Sequence, residues 1–255
     1  MIRGLYTASS AMFANLRRQE LVANNLANLQ TPDYKAEIGQ SSSFETVMVR
    51  QIRSAPGPIP LRLLRTVGVV GTGVYMEDQR TYLAQGPVRL TEEPLDVAIN
   101  GSGFFAVQAG NGVIYTRNGH FSRDGQDRLV TVDGMPVLGI DGQPIVIGGD
   151  TIAISNAGEV RVDGQAAGTI QVVDVDPDDL TRAGDTAFVA AALQASPLGA
   201  GTVLQQGALE EANIDIGRTM TQVVSLQQQF EASQRVFMLL TENLQLAVRD
   251  VGRVA

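Results

Sequence analysis

The sequence predicts an α+β protein in which a mostly antiparallel β domain is inserted between N- and C-terminal long helices that pair as a coiled coil. Three observations predict it. Apolar residues recur at helical spacing at both ends of the chain, those two patterns share a period of seven, and the middle is cut into short alternating runs by turn signals. The expected division is residues 1–30 plus 212–255 as the terminal helical domain, 31–73 as an extended connector and 74–211 as the β domain.

The first helix rests on Leu5, Met12 and Leu26, with Ser9, Leu16 and Ala23 between them at three-four spacing. Pro32 disfavours helix at Thr31, so the helix is expected from about Ile2 to Leu29, about 40 Å at 1.5 Å per residue. Residues 36 to 73 hold SSS (41–43) and PGPIP (56–60) without steady periodicity, the texture of a partly extended connector.

Between Val74 and Gln206 stand Asn100-Gly101, Asn111-Gly112, Asn118-Gly119, Asp124-Gly125, Asp133-Gly134, Asp141-Gly142 and Asp163-Gly164. Asn-Gly and Asp-Gly supply the positive φ of tight hairpins, hence the antiparallel expectation. LDVAI (95–99), FFAV (104–107) and GTIQVVDV (168–175) are the clearest strands. The last helix repeats Ile216, Val223, Phe230, Phe237, Leu244 and Val251 every seven residues, with Met220, Gln227, Gln234, Thr241 and Val248 expected at the intervening seam positions. Asp215 stands where an N-cap belongs. Tyr6 and Phe13 fall off the first stripe, and Leu226, Met238 and Leu240 off the second, so the two helices carry more apolar surface than one partner covers.

The net charge of −8 argues against a nucleic-acid partner bound over the whole surface, because phosphate contacts need a positive footprint. The charge is uneven: residues 1–89 hold ten Arg or Lys against six Asp or Glu, a net of +4, which leaves −12 for the rest. Arg50, Arg53, Arg62 and Arg65 read as a solvated connector, since no aromatic or glycine nest accompanies them. With no cysteine, disulfides, thiolate metal sites and cysteine nucleophiles are excluded. No run approaches the ~20 apolar residues of a membrane helix, so a membrane-spanning protein is not expected. The start lacks an uninterrupted apolar segment and a small-residue cleavage site, so no cleaved secretory signal is expected.

No catalytic assignment is made. His120, the single histidine, is followed by Ser122 and Asp124, but a Ser-His-Asp triad needs members converging from separated elements, and a polar histidine beside a turn fits better. One histidine is equally poor for metal catalysis. DGQDRLVTVDGM lacks the closing glutamate of an EF-hand loop, and DVDPDD (174–179) reads as an exposed loop. GSGF (101–104) and GTGV (71–74) lack the third glycine of a dinucleotide fingerprint and read as bends or close backbone approaches. No cofactor is expected.

Instead, the ends suggest a subunit. The candidate assembly residues are Leu5, Met12, Leu16, Asn24, Asn25, Leu26 and Asn28 at the N-terminus. At the C-terminus they are Val223, Gln227, Phe230, Gln234, Phe237 and Leu244. Amides beside an apolar seam either hydrogen-bond across helices and fix register, or face solvent; the pattern leaves both readings open.

IRGLYTASSAM with NNLANLQTPDYK, then QGPVRLTEEPLDVAINGSGFFAV, YTRNGHFSRD, and finally QGALEEANID with QQFEASQRVFMLLTENLQ, together resemble the bacterial flagellar basal-body rod and hook family. The likeness spans both termini and much of the β domain. The length and GTGVYMEDQRTYLAQGP look like the rod proteins rather than the larger hook protein. Asp33 stands where the family usually has glycine, Leu29-Gln30 where it usually has Val-Asn, and Phe230 where tyrosine is common. The resemblance implies a non-enzymatic structural subunit of the basal body in the cell envelope. It would be exported through the flagellar type III apparatus and polymerise with copies of itself and neighbouring rod and hook proteins. The rival reading is a non-catalytic β-domain protein that binds a ligand or glycan and carries a helical stalk; a hydrolase would need two carboxylates facing one cleft.

Overall fold

A computed structural model describes residues 2–44, 47–54, 62–110, 112–176, 179–190, 196–197 and 201–253. PGPIP (56–60), Asn111, residues 177–178 of DVDPDD, and the side chains of Arg50, Arg53, Arg62, Arg65 and Val251 lie outside the described set. The chain divides into two compact units. The first holds Met1–Asn24, Glu37–Arg80 and Ile216–Ala255; the second holds Asn25–Ala36 and Thr81–Asp215.

The first unit is built on α1 (Ile2–Ala27) and α2 (Ile216–Arg253). Helix α1 stops two residues before the expected Leu29, at a turn over residues 28–30. Helix α2 begins directly after Asp215, which puts that residue at the N-cap position. The segment expected as a connector is largely paired: Ser41–Ser43 runs antiparallel to Val74–Met76, and Val47–Ser54 to Arg62–Val70, with a bulge between Val49 and Arg50. Neither VMVRQIRS nor RLLRTVGVV alternates strictly, so a period-two search passes over them. Their β-branched residues were the available signal.

The second unit centres on a six-stranded antiparallel sheet in the order Leu180–Arg182, Ala187–Ala190, Gly112–Thr116, Phe104–Ala109, Val172–Asp174, Ser196–Pro197. FFAV is apolar at every position because its strand is buried on both faces. Phe105 and Val107 enter one core with Val97, Leu129 and Val160, and Phe104 and Ala106 enter a second with Tyr115 and Phe188. GTIQVVDV is not one strand: it divides between Gln165–Thr169, in a three-stranded sheet with Glu159–Val162 and Ile152–Ile154, and Val172–Asp174 in the large sheet. Two ladders close the unit between sequence-distant strands, Val97–Asn100 with Val203–Gln206 and Val88–Leu90 with Ala208–Glu210.

The turn pairs divide by geometry. Asp163-Gly164 joins Val162 to its partner Gln165 with both φ positive, at 50° and 83°, the two-residue hairpin the dipeptide favours. Asn118-Gly119 makes no hairpin; a Cβ on Gly119 would lie 1.7 Å from the Val97 carbonyl oxygen, so this glycine is fixed by close backbone approach. In GSGF, Gly103 has φ 122° with Val172 Cγ1 2.8 Å from where a Cβ would stand, as expected of a bend at a close approach.

Candidate assembly surface

Helices α1 and α2 meet through Leu21 and Val22, which are buried against Leu226, with Met76 and Val223 completing the cluster. A Cβ on Gly4 would lie 3.2 Å from Leu240 Cδ1. Gly4 beside Leu240 and Leu21 beside Leu226 show that the helices run in opposite directions.

The covered stripe of α2 is Val223, Leu226, Phe230, Ser233, Phe237, Leu240 and Leu244, each buried or half-buried. The expected seam had the period and the Val223–Phe230–Phe237–Leu244 line, but its intervening positions are displaced by one residue. Met220, Gln227 and Val248 are exposed, while Gln234 and Thr241 are half-buried on the flank. Positions three and four residues ahead lie on either side of the seam axis, and burying Leu226 and Leu240 removes apolar area from water where Gln227 and Thr241 would lose hydration. The residues off the expected line therefore carried the phase.

A second apolar face stays uncovered. Tyr6 and Phe13 are 61% and 67% exposed and line a groove with Phe44, Val74, Tyr75 and Met76, of volume about 430 Å³. The Phe44 and Tyr75 rings pack with centroids 5.0 Å apart. On α2, Val224, Val236, Met238, Leu239 and Leu246 are all at least half exposed. Of the other candidate residues, Leu5 and Met12 are half-buried and Leu16 is exposed. Aromatics such as Tyr6 and Phe13 were legible as off-stripe residues, but their groove is formed with the distant Val74–Met76 strand.

The N-terminal amides act close to home. Asn25 is buried, and its Oδ1 accepts a hydrogen bond from the Tyr34 hydroxyl at 3.2 Å. Asn28 Oδ1 accepts from the Thr31 hydroxyl at 3.3 Å. Asn24 is exposed and Leu26 half-buried. Through these bonds Asn25 and Asn28 shape the exit from the helix.

That exit ends in a buried charge cluster which sequence reasoning missed. Lys35, fully buried, forms an ion pair and hydrogen bond with Glu210 Oε1, while Arg117 Nε and Nη2 donate to Glu210 Oε2 at 3.2 and 3.1 Å. Gly86 N–H donates to Glu210 Oε1 at 2.7 Å, and Arg117 Nη2 also donates to the Gly101 carbonyl at 2.9 Å. Asp33 Oδ1 lies 3.2 Å from Lys35 Nζ and 3.9 Å from Arg117 Nε. Glu210 is the carboxylate both cations share, with Asp33 a second carboxyl beside it. Asp33 has φ 59°, a left-handed conformation that glycine, asparagine and aspartate adopt most readily. Arg182 covers the Tyr34 ring at 4.6 Å and donates to the Lys35 carbonyl at 3.2 Å. The signal was present only as isolated charges in TPDYK, TRNGH and GALEE.

His120 pairs with Asp96 at 2.6 Å rather than with Ser122 or Asp124. Asp124 instead binds Arg128, whose backbone N–H and side chain hold its carboxyl below the usual carboxylate range. Among the described residues no group of three or more His, Asp or Glu is placed to hold a metal ion, and no helix is long and apolar enough to cross a membrane.

Three family profiles match the chain in order. Residues 5–35 match the flagella basal body rod protein family, 98–162 the flagellar hook protein FlgE/F/G D1 domain, and 205–249 the flagellar basal body rod FlgEFG protein C-terminal region. The chain is similar to the flagellar hook-basal body complex protein FlhO of Bacillus subtilis, 32% identical with all of both chains covered. It is also similar to the flagellar basal-body rod proteins FlgF and FlgG of Caulobacter vibrioides. These are 29% identical over all of both chains, and 31% identical over 96% of this chain and 97% of the relative. The charge cluster draws on the first and third matched segments through Asp33, Lys35 and Glu210, and its fourth member, Arg117, lies in the second. Matching end to end at this identity, through the same helical ends and β unit that the structure shows, the chain belongs to the bacterial flagellar basal-body rod and hook protein family.

Proposed function

We propose that the protein is a structural subunit of the flagellar basal-body rod, polymerising with copies of itself and neighbouring rod and hook proteins into a hollow helical shaft that transmits torque to the hook. The observation that carries this reading is the uncovered apolar surface of the helical unit, in a chain whose full-length relatives are rod and hook-basal body proteins. Heterologous contacts that do not close on themselves extend into a filament, and many weak lateral contacts sum to a stiff one. Helices α1 and α2 pair as an antiparallel coiled coil along the Val223–Leu244 stripe. The opposite faces, with Tyr6, Phe13, Leu16 and Gln227, are covered by other subunits. The protein performs no turnover. It reaches the basal body in the cell envelope through the type III export apparatus. Similarity to rod proteins along the whole chain does not favour the glycan-binding alternative.

A truncation ending at Asp215 tests the reading. It keeps the Ala208–Glu210 strand and Glu210, both needed by the β unit, and removes only α2. The expected outcome is a folded β unit, by near-UV circular dichroism, that is absent from purified basal bodies. Recovery of the truncated chain in rods would overturn the proposal.

A further inference from the structure

The Asp33 carboxyl is poorly provided for where it sits. Its side chain is 1% exposed, and among the described residues neither oxygen receives a hydrogen bond. Lys35 Nζ is near enough to pair with it but is directed at Glu210. The ionisable groups that face Asp33 are Lys35 on its own segment, Arg117 from the stretch after the Gly112–Thr116 strand, and Glu210 from the Ala208–Glu210 strand. Glu210 satisfies both cations, accepts Gly86 N–H, and through its carbonyl accepts the Asp33 N–H at 2.8 Å. Asp33 is thus the least well satisfied member of the cluster: it shares with Glu210 a lysine already committed to that glutamate, and it stands beside this second carboxylate.

We propose that Asp33 is a proton-controlled latch: with its carboxyl protonated the segment Asn25–Ala36 is locked onto the β unit, and loss of that proton loosens it. Besides the cluster, the segment is attached by backbone and side-chain contacts that flank Asp33. They include the Asn213 N–H to the Tyr34 carbonyl at 3.3 Å, the Ala36 N–H to Asn213 Oδ1 at 2.8 Å, the Tyr82 N–H to the Ala36 carbonyl at 2.8 Å, the Lys35 ammonium to the Ala84 carbonyl at 3.3 Å, and the Arg182 contacts with Tyr34 and Lys35. Ionising Asp33 places a second buried carboxylate beside Glu210 at the centre of that attachment, whereas opening the segment returns the charge to water.

Burial raises the Asp33 pKa from the ordinary 3.8 to about 7, with Lys35 opposing, Glu210 adding and Arg117 opposing. A carboxyl whose folded value exceeds its unfolded one holds its proton more tightly when folded. Its penalty is therefore absent below about pH 4, grows between pH 4 and 7, and is complete above. The latch is tightest in acid and loosens as pH rises, opposite in sign to an ordinary salt-bridged aspartate.

Amide hydrogen exchange on the full chain, corrected for the intrinsic base-catalysed rate, reads the opening directly. The Asp33 and Asn213 amides, donors to Glu210 and Tyr34, should lose roughly 10- to 100-fold of their protection between pH 5 and pH 8. Asp33→Asn keeps a residue that tolerates the left-handed backbone and removes the titration, so its profile should stay flat within about threefold. The same slope in Asp33→Asn, or protection that rises with pH in the unaltered chain, would overturn the proposal. Should Asp33→Asn fail to fold, carboxyl-carbon NMR of the unaltered chain decides. A midpoint above pH 6 for Asp33 supports the latch and one below 5 removes it.

Discussion

The two units of this chain meet the same demand, removal of apolar surface from water, in different ways. In the β unit the central strand buries both faces, and Phe104, Phe105, Val107 and Phe188 are each 4% exposed or less. In the helical unit Tyr6 and Phe13 are exposed, Phe230 and Phe237 are only half-buried, and among the described residues of α2 Leu226 alone is fully buried. A domain core of the first kind supports itself, whereas long helices with an unfilled face depend on neighbours. The difference teaches where the chain covers its own apolar surface and where it leaves that surface open.

Substitutions sharpen that contrast or break it. The largest effects belong to the β unit. Phe105→Ala removes a fully buried ring that packs edge-on to Phe121 at 5.1 Å and should cost about 3–5 kcal/mol in urea unfolding. Glu210→Gln removes the carboxylate that Lys35 and Arg117 share, leaving only Asp33 opposite two buried cations, and should cost a similar 3–5 kcal/mol. Next, Gly119→Ala forces a methyl against the Val97 carbonyl oxygen and should lower stability by about 1–3 kcal/mol, read as a fall in Tm. Asp215→Ala should cost α2 about 1 kcal/mol, seen as lost helical ellipticity at 222 nm without change in the β-unit transition. The smallest change is Phe13→Ala, expected within about 0.5 kcal/mol for the isolated chain yet lowering its incorporation into rods. If Phe13→Ala destabilises the monomer as Phe105→Ala does, the contrast fails.

How much could be read in advance follows the same divide. Local chemistry was legible: the period of α2, the strands around Phe104 and Val97, the hairpin at Asp163-Gly164. Phase and partnership were not. Leu226 and Gln227 are adjacent, and which one enters the seam depends on a partner helix some 200 positions away in sequence. Asn118-Gly119 has the composition of a hairpin turn, but its glycine answers to a carbonyl from another strand. The charge cluster joins three stretches, and nothing in one dimension sets Lys35 beside Glu210. The ribbon at Val47–Ser54 and Arg62–Val70 escaped because its sequence keeps no strict alternation.

The ladder that places Glu210 also governs when the β unit can form. Val88–Leu90 waits for Ala208–Glu210, and Val97–Asn100 waits for Val203–Gln206, so closure needs contacts spanning more than a hundred residues. Such contacts must overcome loop-closure entropy before they return any stabilisation, which makes folding slow. A chain delivered from its N-terminus, by a ribosome or through a narrow conduit, cannot complete this unit until almost its whole length has emerged. The topology itself keeps the subunit threadable until late in its delivery.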